Sequence, residues 1–228
     1  MGQCCTTPSN HQGEDYINMI LNNENFYLQN IKYSQLKKTL DSFPKEIYSS
    51  KEKLRAELGK ILFNNDQHKN KFYHEHSGFV NELFISLPPN PSSNTILFML
   101  YPYMNHKGED VEEILFTLFS NEVKGDFDYN AITELLDNYV ENVTIKLTFA
   151  FWYFCQNSEL KNAFDEMNSS IFTNENKNKY IDSILIGLKN YCSEEKDISK
   201  EMFVKNMSGY SLGSYQDIRH SIYVEYGF

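Results

Sequence analysis

The chain has 228 residues, with 31 acidic side chains against 21 basic ones and a formal net charge of −10. This balance argues against a nucleic-acid-binding surface, which needs a basic stripe. Aromatic residues make up 15% and hydrophobic residues 41% of the chain, so a sizeable core is expected rather than a disordered protein. Only four cysteines are present, which predicts no disulfide framework and a reducing, cytoplasmic compartment.

The first residues carry a pattern for lipid attachment, Met1-Gly2-Gln3-Cys4-Cys5-Thr6. Gly2 behind the initiator methionine, with Thr6 following, fits N-myristoylation, and Cys4 and Cys5 are placed for S-palmitoylation. One myristoyl chain binds membranes only marginally, so stable attachment needs a second signal. A negative chain with no basic residue before position 32 is repelled by anionic lipid, so palmitate has to be that signal.

We therefore predict lipidation at Gly2, Cys4 and Cys5, within a flexible acylated leader over residues 1–13. The alternative is an unmodified head with two free thiols. The predicted location is cytoplasmic and membrane-associated, through the acyl chains.

Helical spacing after the leader predicts an N-terminal helical half over residues 14–90. A short amphipathic segment, Tyr33–Phe43, ends at Pro44, and Ser49 with Glu52 forms a capping box for the next helix. The inward positions of this helix and of the one that follows it are Leu54, Leu58, Ile61 and Leu62, then Phe79, Val80, Leu83, Phe84 and Leu87. The half ends in a proline-rich stretch that cannot continue a helix, Leu87-Pro88-Pro89-Asn90-Pro91-Ser92-Ser93.

A C-terminal helical half is predicted over residues 91–208, with Ser92 or Ser93 as its first cap. Two amphipathic helices joined by a loop containing Gly125 are indicated by apolar residues at helical spacing: Val111, Ile114, Leu115, Leu118 and Phe119, then Ile132, Leu135, Leu136, Tyr139, Val140 and Val143. The stretch Ile145–Phe154 is apolar nearly all round and is predicted to be buried. A helix from about Thr173 presents Ile181, Ile184, Leu185 and Leu188, and Asp197 caps a last short helix with Met202 and Phe203.

The remaining residues, 209–228, form an aromatic tail. We predict that it binds a partner or covers a groove through Tyr215, Ile218, Ile222, Tyr223 and Phe228. Chain ends fray unless they are tied down, and aromatic residues dominate interface anchors. The alternative is that the tail is the last core helix of the domain.

The helix–loop–helix over residues 111–143 resembles an EF-hand. Aligning Gly125 with the turn glycine of that motif puts loop positions one, three, five and twelve at Ser120, Glu122, Lys124 and Ala131. Lys124 brings a positive charge to a ligand position, and Ala131 lacks the bidentate carboxylate that Ca²⁺ binding needs. Asp126 and Asp128 are displaced from the usual places. We therefore predict a degenerate loop that holds no metal, formed by Ser120, Glu122, Lys124, Asp126 and Asp128; the alternative is an ordinary helical hairpin.

The passage that follows is similar to one in calcineurin B and the neuronal calcium sensors. Those families have an aspartate–aromatic pair entering a helix and then Lys-Leu-x-Phe-Ala-Phe, which here are Asp128-Tyr129 and Lys146-Leu147-Thr148-Phe149-Ala150-Phe151. Those proteins are also N-myristoylated. The resemblance covers the head and residues 110–155, and it implies a scaffold in which paired helix–loop–helix units form an apolar groove for a partner helix.

Together these features predict an all-α fold of two helical halves, the second a degenerate EF-hand-like helix–loop–helix pair. No catalytic set is found: Gly209-x-Ser211-x-Gly213 follows a predicted helix, not the strand that a nucleophile elbow needs. We predict a non-enzymatic protein with no cofactor and no metal, a lipid-anchored adaptor or regulatory subunit that recruits a protein partner to a cytosolic membrane face. The alternative is a structural subunit of a large cytoskeletal or ciliary assembly.

Overall fold

The structure is a computed structural model that describes residues 31–62, 84–104, 106–123, 125–142, 162, 165–166, 169–192, 197–210 and 212–226. Helices carry the fold within those ranges and no sheet forms there, which confirms the predicted all-α class. None of the helices in this part of the chain is both long and apolar enough to cross a membrane.

The helices follow one another along the chain with short connections where the structure describes them. In the N-terminal half they are α1 (Tyr33–Asp41), α2 (Lys45–Tyr48) and α3 (Lys51–Leu62). After the proline-rich stretch come α4 (Ser93–Leu100), a 3-10 turn (Tyr101–Tyr103), α5 (Val111–Glu122), α6 (Tyr129–Glu141), α7 (Asn174–Cys192), α8 (Lys200–Met207) and α9 (Tyr215–Tyr226).

Polar N-cap side chains set where several of these helices begin. Each accepts a hydrogen bond from the backbone N–H three residues further on, as the cap position requires. The residues are Ser92 for α4, Asp110 for α5, Asp128 for α6 and Ser199 for α8. The prediction that a serine at 92 or 93 opens α4 is confirmed.

Two predicted caps are wrong by one or two residues. Ser50, and not Ser49, accepts from the Lys53 amide, at 3.3 Å, while the Ser49 hydroxyl donates to a backbone carbonyl. At the start of α8 the cap is Ser199 rather than Asp197. Neighbouring polar residues have similar cap propensities, so the choice between them depends on where packing lets the helix start.

The two predicted halves share one core. Buried side chains form a continuous cluster that runs from α1 to α9. Helix α4 joins the halves, because it packs against α1 on one side and α5 on the other. The Tyr33 and Tyr101 rings meet edge to face across this junction, with centroids 5.5 Å apart. Leu87 and Pro91 of the proline-rich stretch are also buried, so the stretch turns the chain within the core.

The inward faces predicted for α5, α6 and α7 are largely confirmed. The buried residues of these helices are Leu115, Leu118 and Phe119, then Ile132, Leu136, Tyr139 and Val140, then Ile181, Ile184, Leu185 and Leu188. Val111, Ile114 and Leu135 pack at the edge of the core and are partly buried. The predicted apolar stretch Ile145–Phe154, with Phe79, Val80 and Leu83, lies outside the described residues, as do the side chains of Ile61 and Leu62.

Candidate functional site

The helices of the second half form two helix–loop–helix units. The first unit is α5, its loop and α6, and the second unit is α7, its loop and α8. Helix α6 packs along α7 and α5 packs against α8, so each unit contacts the other through both of its helices. The two loops also meet, because the backbone N–H of Ile198 donates to the carbonyl of Phe127 at 2.8 Å.

The two loops repeat the same local design on either side of that hydrogen bond. In each, the residue after the contact caps the next helix. Asp128 accepts from the Ala131 amide at 2.9 Å, and Ser199 accepts from the Met202 amide at 3.3 Å. The apolar residue before each cap, Phe127 or Ile198, is the one that joins the loops.

Aromatic and charged contacts hold the two units together. The Phe116 and Phe127 rings of the first unit meet Phe203 of the second, at centroid distances of 5.5 and 6.1 Å. Lys177 of α7 is nearly fully buried and lies 3.0 Å from Asp137 and 3.5 Å from Glu141, both on α6. The two carboxylates are partly exposed, but removing both would leave the buried Lys177 charge uncompensated, so this contact helps to specify how α6 and α7 pair.

The second unit was not recognised from the sequence. The resemblance pointed to the region after Ile145, which lies outside the described residues, whereas the unit that pairs with the first is formed by residues 174–207. Between its helices the sequence contains Glu194, Glu195 and Asp197 but not the Asp-x-Asp-x-Asp-Gly pattern that would mark a metal-binding loop. The signal that was available is the repeat of an apolar residue followed by a cap, Phe127-Asp128 and Ile198-Ser199.

Residues of the predicted degenerate loop make hydrogen bonds within the protein. The Ser120 hydroxyl donates to the Phe116 carbonyl within α5, and Glu122 accepts from the Thr95 hydroxyl at 3.2 Å. Asp128 is engaged as a helix cap, and Lys124 lies outside the described residues. The described part of the chain contains no group of three histidine, cysteine, aspartate or glutamate side chains placed to hold a metal.

We expect no saturable Ca²⁺ binding at micromolar concentrations. Ala131 lacks the bidentate carboxylate, and Asp128 already accepts a backbone hydrogen bond. Calorimetric titration in physiological salt is the measurement, with Mg²⁺ as a parallel titrant. A micromolar heat signal that disappears in Asp126→Asn or Asp128→Asn would show that the loop binds metal after all.

A groove opens beside the first unit, on the face of α6 that points away from the core. We call it the acidic groove; its volume is about 740 Å³. It is lined by Ser86, by helix α4, by the end of α5 and the loop that follows, and by α6. The lining residues are Ser86, Thr95, Phe98, Met99, Glu122, Val123, Asp126, Asp128, Asn130, Ala131, Glu134, Leu135, Asn138 and Asn142. Phe98 and Met99 are almost buried and form an apolar floor, to which Leu135 contributes a partly buried side.

The charge of the acidic groove is one-sided. Four of its lining residues carry carboxylates, and none of those lining residues is lysine, arginine or histidine. Glu122 and Asp128 are held by the hydrogen bonds described above, while Asp126 and Glu134 are exposed. Three of the four, Glu122, Asp126 and Asp128, belong to the loop predicted to be a degenerate metal site.

The predicted tail residues lie inside the chain's own core. Tyr215, Ile218, Ile222 and Tyr223 are all buried on α9, and Phe228 lies outside the described residues. Tyr215 stacks on Tyr103 at 5.0 Å, and the Tyr139 hydroxyl donates to the Leu212 carbonyl at 2.9 Å. A partner would reach these residues only if α9 left its place, and their predicted role in partner binding stays a prediction.

The predicted lipidation sites Gly2, Cys4 and Cys5 lie outside the described residues and also stay predictions. Comparisons with models of known protein families, with curated proteins and with solved structures found no match for this chain.

Proposed function

We propose that the chain is a non-enzymatic, lipid-anchored adaptor that brings a protein partner to a cytosolic membrane face. The observation that carries the proposal is the pair of helix–loop–helix units, which meet through their loops. Their described residues include no group of three side chains placed to hold a metal. Ile198 and Phe127 join the loops, and Asp128 and Ser199 cap the helices that follow. This arrangement supports a scaffold that is held in one form without calcium.

We further propose that the two units are related to EF-hands. Three features support this: the turn glycine Gly125 at a φ of +135°, the apolar residue two positions later, and the loop-to-loop contact through that residue. Backbone at a positive φ favours glycine, which has no Cβ to clash. Without a metal ion the loop carboxylates can make other contacts, and here Glu122, Asp126 and Asp128 line the acidic groove.

The membrane part of the proposal comes from the head of the chain. Gly2, Cys4 and Cys5 together offer two kinds of acyl attachment, and a single chain would bind only reversibly. The net charge of −10 makes attraction to anionic lipid an unsuitable second signal. Two acyl chains therefore supply the attachment.

The alternative, a structural subunit of a cytoskeletal or ciliary assembly, relied on an aromatic tail that docks into neighbours. Two aromatic residues of that tail, Tyr215 and Tyr223, are buried in the chain's own core, and a third, Tyr210, donates its hydroxyl to the Ser183 carbonyl at 2.7 Å. We therefore favour the adaptor, for which a separate groove is available on the surface.

We expect Gly2→Ala to move the protein from the membrane fraction to the soluble fraction of the native cell. Palmitoylation follows the first membrane contact, so loss of myristate removes both chains. Changing Cys4 and Cys5 together to serine should leave weak, reversible binding, since one myristoyl chain remains. Fractionation and acyl labelling are the measurements.

A matched control for this experiment is Gly13→Ala, which alters a glycine outside the motif and should leave the protein on the membrane. Intact-mass analysis of the native protein gives an independent test. A mass with neither acyl group, or membrane attachment that survives Gly2→Ala, would contradict the anchor.

A further inference from the structure

We infer that the acidic groove binds a basic amphipathic helix of a partner protein. This inference rests on the proposed adaptor function and names the chemistry of the partner. The groove differs from the contact between the two paired units, because α6 turns Ile132, Leu136 and Tyr139 toward the core. An adjoining side of α6, with Ala131, Glu134 and Leu135, faces the groove.

The rim of the acidic groove explains why the occupant is basic. Elsewhere Asp41, Asp137 and Glu175 pair with lysines at N–O distances of 2.6, 3.0 and 2.6 Å. Within the part of the chain that the structure describes, Asp126 and Glu134 have no such ion pair. Basic residues on a partner would supply ion pairs to these two carboxylates and would steer the approach of the partner.

The floor explains why the occupant is amphipathic. Phe98 and Met99 are only 6% and 7% exposed, and Leu135 and Val123 are partly buried beside them. An apolar floor inside a charged rim needs an apolar anchor with basic residues around it. A purely polar polycation would leave the apolar floor in contact with water. It would form only surface ion pairs, which salt screens and which stabilise little.

The length of the groove fits a helix. The face of α6 that lines it runs from Ala131 to Asn142, roughly 16 Å at the rise of an α-helix. That span matches about three turns of a helix laid alongside it. No sheet edge is present among the described residues to accept an extended strand, whereas a helix brings its own backbone hydrogen bonds.

The charge of the chain's own leader argues against it as the occupant. Residues 1–30 contain Glu14, Asp15 and Glu24 and no lysine or arginine. An acidic segment would be repelled by the rim of the acidic groove. A partner from another protein is therefore the better match.

The experiment uses the purified full-length protein, without acyl groups or membranes, at physiological salt. The probe is a labelled synthetic peptide of about 18 residues, with leucine at i, i+3, i+4 and i+7 and lysine elsewhere. Fluorescence anisotropy gives its affinity. The same pattern with glutamate in place of lysine should not bind, because its charge matches the rim.

The groove variant carries Asp126→Lys and Glu134→Lys, both at exposed positions. The matched control carries Glu46→Lys and Asp182→Lys, which are exposed on α2 and α7 away from the groove and change the net charge equally. We expect the groove variant to lose about tenfold or more in affinity, since two attractive contacts become repulsive. The control should lose less than about twofold, because neither of its side chains lines the groove and exposed charges away from a contact are largely screened.

A second pair of variants tests the cavity itself. Asn138→Trp fills the acidic groove without removing a core side chain, and Asn178→Trp places the same group on an exposed position of α7. Only Asn138→Trp should block the peptide. Circular dichroism of all four variants checks that their helix content is unchanged.

Three results would overturn the inference. The first is an equal loss of peptide affinity in the groove variant and in its charge-matched control. The others are unchanged peptide binding by Asn138→Trp, and equal binding of a proline-interrupted peptide that cannot form a helix. None of these measurements involves Gly2 or a membrane. If the peptide experiment fails but Gly2→Ala still releases the protein from membranes, only the groove is rejected. If the peptide binds as expected but Gly2→Ala stays on the membrane, only the anchor is rejected.

Discussion

A chain that ends at Gly209 is expected to be unfolded or insoluble. The truncation removes Leu212, Ile218 and Ile222, all fully buried, and burying each such side chain stabilises by about 1.5–3 kcal/mol. It also removes the ring of Tyr215 that stacks on Tyr103. Whole domains are stable by only about 5–15 kcal/mol, so the loss is comparable with the total. Thermal unfolding followed by circular dichroism is the measurement.

Two single substitutions on α9 provide the control for the truncation. Ile222→Asp places a carboxylate at a fully buried position and should reproduce much of the stability loss caused by the truncation. Val224→Asp lies two residues away, where the side chain is 60% exposed, and should change stability by less than about 0.5 kcal/mol. If the truncated protein keeps most of its melting temperature, α9 is a removable cover, and the partner-binding role predicted for Tyr215, Ile218, Ile222 and Tyr223 gains support.

Phe119→Ala is expected to lower the free energy of unfolding by about 3–5 kcal/mol, the usual range for a buried phenylalanine. Phe119 of α5 is fully buried at the point where three other helices meet α5. Its ring centroid lies 5.3 Å from Phe98 of α4, 5.5 Å from Tyr139 of α6 and 5.7 Å from Phe203 of α8. A cavity there loosens both paired units and the junction with the N-terminal half.

The matched control is Phe116→Ala, one turn earlier on the same helix. Phe116 is only partly buried and touches Phe127 and Phe203 at the edge of the core, so the substitution should cost less than half as much. Chemical denaturation of both variants gives the two free energies. Equal losses would mean that the packing centre lies nearer the loops than the structure indicates.

The paired units also suggest how a scaffold of this kind keeps its form without calcium. In the described chain the loops are joined by a backbone hydrogen bond, and each loop ends in a side-chain cap. Lys177 adds a buried cation between two carboxylates of α6. None of these contacts uses a metal ion, so we expect them to persist without calcium, as the proposed adaptor requires.

The sequence by itself determined the helical class and the inward faces of α5, α6 and α7. Each of these depends on residues within about one or two helical turns of one another, where spacing and side-chain chemistry act directly. Cap positions were nearly determined in the same way, with errors at Ser49 and Asp197 because adjacent polar residues compete for one position.

Only the tertiary structure decided which segments meet. It paired the first unit with residues 174–207, placed α4 in the same core as α1 and α5, and packed α9 against Tyr103 and Tyr139. It also brought Phe98 of α4 beside Glu134 of α6 to form the acidic groove. The sequence of an amphipathic helix predicts that its apolar face is buried. It does not predict against which helix, because such a face can pack against many others and the packing of the whole chain decides between them.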